Sequence, residues 1–200
     1  MKDYSKKLPE WRKIWLIGKT IERGKCLDLG CGPGEYGPKL RERSSFLFGV
    51  DIDDYLLEIA KNLKVYDGLQ KMDVNGDLPF TDNSFDYVWA SEILEHLPDL
   101  NIIRKLEKIS KKKIVITMPN PFSPHFRKDK NHILRYSVKS LKDFLKKRKG
   151  WTYKIRGLGF DGIPAPLFLK RLTTYFLYFL PELSPTIAVI GERVSDERKD

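Results

Sequence analysis

The chain has 200 residues, of which 41% are hydrophobic and 32% are charged. This composition is typical of a globular protein, and the length suits one domain but not two full ones. Lys and Arg outnumber Asp and Glu by 37 to 27, for a net charge of +10, which suits RNA, an anionic membrane surface or an acidic small molecule but is equally typical of a Lys/Glu-rich surface. The two cysteines exclude a disulfide framework and a four-cysteine zinc site, and no apolar run reaches the roughly 18 to 20 residues of a membrane span.

Residues 1–24 are predicted to form an N-terminal helical cap, because Trp11, Ile14 and Trp15 fall on one helix face and Gly18 and Gly24 interrupt the pattern. This helix either packs on the edge of a sheet or forms an aromatic lid over a ligand. The first residues lack the apolar core of a secretion signal. Together with the absence of a disulfide framework, this predicts a cytoplasmic protein.

A glycine-rich turn follows the first predicted strand, which ends Cys26-Leu27-Asp28-Leu29. Glycines at alternate positions, 30, 32 and 34, let the backbone turn tightly and approach a ligand where a Cβ would collide. The next helix is predicted to begin near Pro38, and its free N–H groups point back into the turn. This stretch therefore predicts a site for a polar or anionic small molecule.

Two further strands end on acidic residues. Residues 45–50 form an apolar run that ends at Asp51, and Asp53 is a candidate N-cap for a helix reaching residue 60 or 63. Residues 68–72 form a shorter strand ending at Asp73. An acid at the end of the second strand, about 20 residues past the glycines, can accept both hydroxyls of a ribose.

The fourth and fifth strands are predicted at residues 85–90 and 113–118. All three histidines lie in the segments that follow these two strands. His96 follows the fourth strand, and a helix runs from residue 98 or 99 to 110. The long loop 119–132 contains His125 and His132, and loops of this length in compact domains are often functional. Neutral imidazoles can accept a proton, so His96, His125 and His132 are candidate catalytic bases, although His96 equally suits a capping role.

The remaining sequence predicts a helix from Ser137 to about residue 149, strands at 151–158 and 186–190, and a charged tail at 195–200. The segment 166–180 is rich in aromatic residues and is interrupted by Lys170 and Arg171. It is predicted to be a packed helix that joins an antiparallel strand pair. Contact with a membrane surface or an apolar substrate is the alternative.

Strands that alternate with helices at this rhythm predict an α/β fold, with a doubly wound, mostly parallel sheet of seven strands and helices on both faces. The whole chain, 1–200, is predicted to be one domain. Within it, residues 25–118 form the core that binds a cofactor, and residues 119–194 form the substrate side.

The spacing Asp28-x-Gly30-x-Gly32-x-Gly34, with Asp51 and Asp73 ending the next two strands, resembles class I S-adenosylmethionine-dependent methyltransferases of the type 11-like group. The resemblance covers roughly residues 25–118 and implies a Rossmann-like fold, S-adenosylmethionine as cofactor and transfer of a methyl group. It implies that Asp28 receives the cofactor's amino group, Asp51 holds the ribose, and Asp73 with the Val74 N–H contacts adenine. The full set of cofactor-binding candidates is Asp28, Gly30, Cys31, Gly32, Gly34, Tyr36, Asp51, Ile52, Asp73, Val74 and Ser91.

Two other functions compete with methyl transfer. Residues 32–37 also fit the G-x-G-x-x-G pattern of dinucleotide-binding proteins, with Asp51 at a suitable distance, which would make the chain an NAD-binding oxidoreductase. A non-catalytic protein that binds S-adenosylmethionine or a nucleotide is the second alternative. No Cys/His spacing typical of a metal site is present, so no metal is predicted. The expected acceptor is a small molecule, with the acceptor atom open.

Overall fold

A computed structural model describes residues 10–122, 126, 132–133, 135–159 and 167–194. These residues contain seven strands and six α-helices in a largely alternating order. The strands are β1 (Gly24–Leu29), β2 (Ser44–Asp51), β3 (Gly68–Lys71), β4 (Phe85–Ser91), β5 (Ser110–Pro119), β6 (Trp151–Gly157) and β7 (Thr186–Arg193). The helices are α1 (Trp11–Thr20), α2 (Gly37–Arg41), α3 (Asp54–Asn62), α4 (Asn101–Ile109), α5 (Val138–Leu145) and α6 (Leu167–Leu177).

All seven strands form one sheet in the order β3-β2-β1-β4-β5-β7-β6. The first five are parallel, whereas β7 runs antiparallel to both β5 and β6. The predicted fold class is confirmed. The strand order reverses between β1 and β4, and in open α/β sheets such a reversal leaves a crevice at the carboxyl ends of the strands. The glycine turn, which follows β1, lies at that point.

Side chains alternate between the two faces of the sheet and form two apolar layers. Leu27, Leu29 and Val88 face α4 and α5 on one side. Cys26 and Trp89 face α1 and α2 on the other. The helices therefore cover both faces at the centre of the sheet, and the central strands β1 and β4 are mostly buried because neither of their faces is open to water.

Helix ends follow the predicted capping residues. The Asp53 carboxylate accepts hydrogen bonds from the N–H groups of Tyr55 and Leu56 at the start of α3, and the Ser137 hydroxyl accepts from the Ser140 N–H at the start of α5. Between β4 and α4, residues 94–96 form a short 3-10 helix, so the helix predicted from residue 98 or 99 begins later, at Asn101.

The aromatic helix α6 joins the antiparallel strands β6 and β7 as predicted, but much of its apolar surface is exposed. Leu172 is 51% exposed, Tyr175 64% and Phe176 63%. Among the described residues, its small Thr174 is buried instead. In the described part of the chain no helix is both long enough and apolar enough to cross a membrane.

Candidate functional site

The turn after β1 is built on three glycines in the left-handed backbone region. Gly30, Gly32 and Gly34 have φ angles of +68°, +52° and +81°, a conformation that side chains disfavour. A Cβ at Gly30 would lie 2.5 Å from the Ile93 side chain, whereas a Cβ at Gly32 would meet nothing within 4 Å. Gly32 therefore has open space above its backbone, as a turn that accommodates a ligand requires.

Asp51, the last residue of β2, holds this turn in place. Its carboxylate accepts hydrogen bonds from the Gly32 N–H at 2.7 Å and, through the other oxygen, from the Asp53 N–H at 3.0 Å. The Cys31 N–H donates to the carbonyl of Val50 on the same strand. Each carboxylate oxygen has lone pairs to spare, so Asp51 can orient the turn and still accept hydroxyl groups of a ligand.

Asp28 lies beneath the turn and is only 3% exposed. The Tyr66 hydroxyl donates a hydrogen bond of 2.7 Å to its carboxylate. Burial raises the pKa of Asp28 to about 7; the Tyr66 hydrogen bond opposes this rise, and the nearby negative charge of Asp51 adds to it. Asp28 therefore changes its charge in the neutral pH range, unlike an ordinary aspartate.

A cavity of about 420 Å³ opens beside the turn at the carboxyl ends of β1, β2 and β4. Six of the predicted site residues line it, namely Gly30, Asp51, Ile52, Asp73, Val74 and His96. Cavities of about 520 and 570 Å³ exist elsewhere, but neither contains the glycine turn. The volume and mixed lining of the cavity at the turn suit a small molecule with polar and apolar parts.

Asp73 and its neighbours form one end of this cavity. The Asp73 carboxylate accepts from the N–H and the side-chain amide of Asn75, and the Asp73 carbonyl accepts from the Gly76 N–H. The Lys105 ammonium donates to the Asn75 carbonyl at 2.7 Å and so ties this loop to α4. The loop is thus held in one conformation beside the cavity.

The remaining predicted cofactor residues lie around the cavity rather than on its wall. The Cys31 side chain is buried in the turn, and burial raises the pKa of its thiol. The Tyr36 ring packs against Trp89, with 5.7 Å between ring centroids, and the Ser91 hydroxyl is 2.9 Å from that of Thr117.

Two charged residues that sequence reasoning missed also meet at this site. Glu92 lines the cavity with a left-handed φ of +54°, and its carboxylate lies 3.0 Å from the ammonium of Lys13 on α1. Lys13 is 4% exposed. Burial lowers its pKa, but Glu92, Tyr36 and Glu35 together raise it by more, so the net pKa is raised. The positive φ of a non-glycine residue often marks a functional site, but it is not visible in a sequence.

The structure brings two of the three candidate histidines together. The rings of His96 and His132 are 5.0 Å apart between centroids, and Glu95 offers an oxygen to the same place. His125 lies outside the described residues. The sequence gives no metal-binding spacing here, because the two histidines lie on segments that meet only in the folded chain.

Comparisons with known proteins agree with this geometry. Residues 27–113 match the family model described as a methyltransferase domain. A demethylmenaquinone methyltransferase of Geobacillus stearothermophilus is 28% identical over 111 residues, 51% of this chain and 47% of the relative. The sterol 24-C-methyltransferase erg6 of Schizosaccharomyces pombe is 41% identical over 85 residues, 38% of this chain and 22% of the relative. The chain thus spans about half the length, or less, of these two relatives.

The fold is also that of a solved protein. The crystal structure of a SAM-dependent methyltransferase from Archaeoglobus fulgidus superimposes with a TM-score of 0.63 at 24% sequence identity. The match covers 91% of this chain and 90% of that one. At this identity the similarity concerns the fold, and it extends beyond residues 27–113, which the family model matches.

Proposed function

Because residues 27–113 belong to the methyltransferase-domain family, we propose that this protein transfers a methyl group from S-adenosylmethionine to a small-molecule acceptor. One observation carries the proposal. The glycine turn is closed by the Gly32–Asp51 hydrogen bond, and Gly32 faces open space where a Cβ would meet nothing.

The residues present fit the parts of this cofactor. Asp51 keeps acceptor capacity for the ribose hydroxyls, and Asp73 with the backbone of Val74 lines the far end of the cavity for adenine. The methionine part lies along Gly30 and Gly32, above the buried Asp28. These assignments follow the sequence prediction and are part of the proposal.

S-adenosylmethionine supplies the reactive methyl group on a sulfonium, so the protein has to bind the cofactor, align the acceptor and exclude water. Leu56, Met72 and Ile93 contribute apolar side chains to the cavity wall, and such a lining would limit water around a bound cofactor. The relatives are named for demethylmenaquinone and for a sterol, which are both small apolar molecules. We propose an acceptor of comparable size for this chain.

Calorimetric binding of S-adenosylhomocysteine to Gly32→Ala tests the site. A methyl group at Gly32 projects into open space, so the variant folds but its new Cβ occupies the ligand's position. Gly150→Ala is the matched control, since Gly150 also has a left-handed φ, +76°, and nothing within 4 Å of its Cβ position, and it precedes β6 away from the cavity. Both variants carry the cost of a left-handed alanine, roughly 1–2 kcal/mol.

We expect Gly32→Ala to lose binding by at least about 30-fold, which is near 2 kcal/mol, while Gly150→Ala keeps wild-type affinity. Equal affinity in both variants would contradict the site. Binding of NAD by the wild type, with no heat from S-adenosylmethionine or S-adenosylhomocysteine, would support the oxidoreductase alternative. Turnover with a panel of small acceptors then separates an enzyme from a binding protein.

A further inference from the structure

Three potential metal ligands converge next to the cavity. Oxygen of Glu95 and ring nitrogens of His96 and His132 all lie within 4.8 Å of one another. Glu95 and His96 belong to the 3-10 helix after β4, and His132 comes from the chain after β5. His96 also lines the cavity, whereas Glu95 is fully buried.

The segment that carries His132 is held against the 3-10 helix by backbone contacts. The Ile133 N–H donates to the Glu95 carbonyl at 2.9 Å. The His132 Nδ1 atom lies 3.1 Å from the Phe126 carbonyl oxygen, and the Phe126 ring, 1% exposed, packs against the imidazole at 4.8 Å between centroids. The position of His132 beside His96 therefore follows from several contacts rather than from one.

The contact with Phe126 also indicates which nitrogen of His132 would bind a metal ion. A carbonyl oxygen can only accept a hydrogen bond, so Nδ1 carries a proton, and in a neutral ring Nε2 is then the nitrogen with the lone pair. Metal-binding histidines are commonly oriented in this way, with the second ring nitrogen donating to a backbone carbonyl or carboxylate. His132 thus has the tautomer that a metal ligand needs.

We propose that Glu95, His96 and His132 bind a divalent first-row transition metal ion. Two imidazoles and one carboxylate are ligands that ions such as Zn²⁺, Co²⁺ and Fe²⁺ prefer, whereas Mg²⁺ and Ca²⁺ favour sites made of oxygen alone. Ligands of a tetrahedral ion with bonds of about 2.0–2.1 Å lie roughly 3.3 Å apart. The spacing of up to 4.8 Å therefore closes with side-chain movements of about an ångström.

Three protein ligands leave at least one coordination position open, and His96 places that position at the cavity. This consequence rests on the proposed function: the acceptor is a small molecule with a hydroxyl group that coordinates the ion. Coordination lowers the pKa of the hydroxyl, and its proton passes to solvent. The oxygen then forms a bond to the methyl carbon as the carbon–sulfur bond of the sulfonium breaks, and S-adenosylhomocysteine leaves as a neutral thioether.

Cobalt binding to the tag-free full chain tests the site without depending on activity. We expect one Co²⁺ per chain, with the visible absorption bands of a four- or five-coordinate ion, displaced by Zn²⁺. His96→Gln and His132→Gln are expected to weaken binding at least about 100-fold, because even indirect partners of metal ligands contribute about 10- to 100-fold. Glu42→Gln, an exposed carboxylate paired with Lys39, is the matched control and should bind as the wild type does.

Thermal unfolding of each variant without metal checks that it folds. Wild-type protein that binds no Co²⁺, or His132→Gln that binds it as tightly as the wild type, would overturn the proposal. S-adenosylhomocysteine binding in the presence of EDTA separates the two proposals. If it persists while Co²⁺ fails to bind, the metal site is wrong and the methyltransferase proposal stands. If Co²⁺ binds and S-adenosylhomocysteine does not, the metal site stands and the methyltransferase proposal is wrong.

Discussion

Cofactor binding by this protein is expected to tighten about tenfold as the pH rises from about 6 to about 8. The cause is Asp28, whose pKa burial raises to about 7. In the proposed site, only the ionised Asp28 carboxylate attracts the positively charged amino group of S-adenosylmethionine. With a pKa near 7 the ionised fraction is roughly one tenth at pH 6 and nine tenths at pH 8, and the affinity follows this fraction.

Calorimetric titrations with S-adenosylhomocysteine across this pH range measure the effect. Repeating them in two buffers with different ionisation enthalpies counts the protons released, about one half per site at pH 7. Tyr66→Phe removes the hydrogen bond that lowers the pKa of Asp28, so its transition should move to higher pH.

Asp28→Asn is the decisive control, because it removes the titrating group and keeps the shape of the side chain. We expect it to bind more weakly and without this pH dependence. A wild-type affinity that is flat from pH 6 to 8 would refute the reasoning. An unchanged pH dependence in Asp28→Asn would assign the effect to a group other than Asp28.

Two predictions concern stability. The folded-state pKa of Asp28, about 7, lies above the ordinary value of 3.8, so the contribution of Asp28 to the free energy of unfolding is full below pH 3.8 and is lost as the pH rises through 7. Asp28→Asn should therefore raise the free energy of unfolding at pH 8 by up to about 4 kcal/mol and change it little near pH 4. Urea unfolding at both pH values measures this difference. Glu107 is buried and accepts hydrogen bonds from the Arg148 guanidinium and from the Tyr153 hydroxyl at 2.8 Å. Glu107→Gln should lower stability by about 3 kcal/mol and the Tm by roughly 6–12 °C; a Tm within about 2 °C of the wild type would contradict it.

Most of the fold could be predicted from the sequence because its elements carry local patterns. The apolar runs, the Asp53 cap and the glycine turn each depend on neighbours in the chain, and all were found at or near the expected positions. The family model and the relatives confirm the resemblance to methyltransferases, and the Archaeoglobus fulgidus structure confirms the fold. The residue roles at the site stay predictions.

The helix α6 shows where such local patterns fail. Its many aromatic and aliphatic residues predict burial, yet Tyr175 and Phe176, and Phe179 just after the helix, are each at least 60% exposed. A sequence pattern identifies a helix, but it does not show how much of the sheet surface remains for that helix to pack against. Here α1 already packs on the face that carries Trp89 and Val115.

The sequence by itself determined that acidic residues and glycines lie together at one edge of the sheet. Parallel strands present their carboxyl ends at the same edge. Asp51, Asp73 and the turn after β1 therefore lie close together in any packing of this parallel sheet. Only the tertiary structure decided that Asp28 is buried against Tyr66, that Lys13 reaches Glu92, and that His132 joins His96. These pairs lie far apart in the chain and have no periodic pattern, and packing alone brings them into contact.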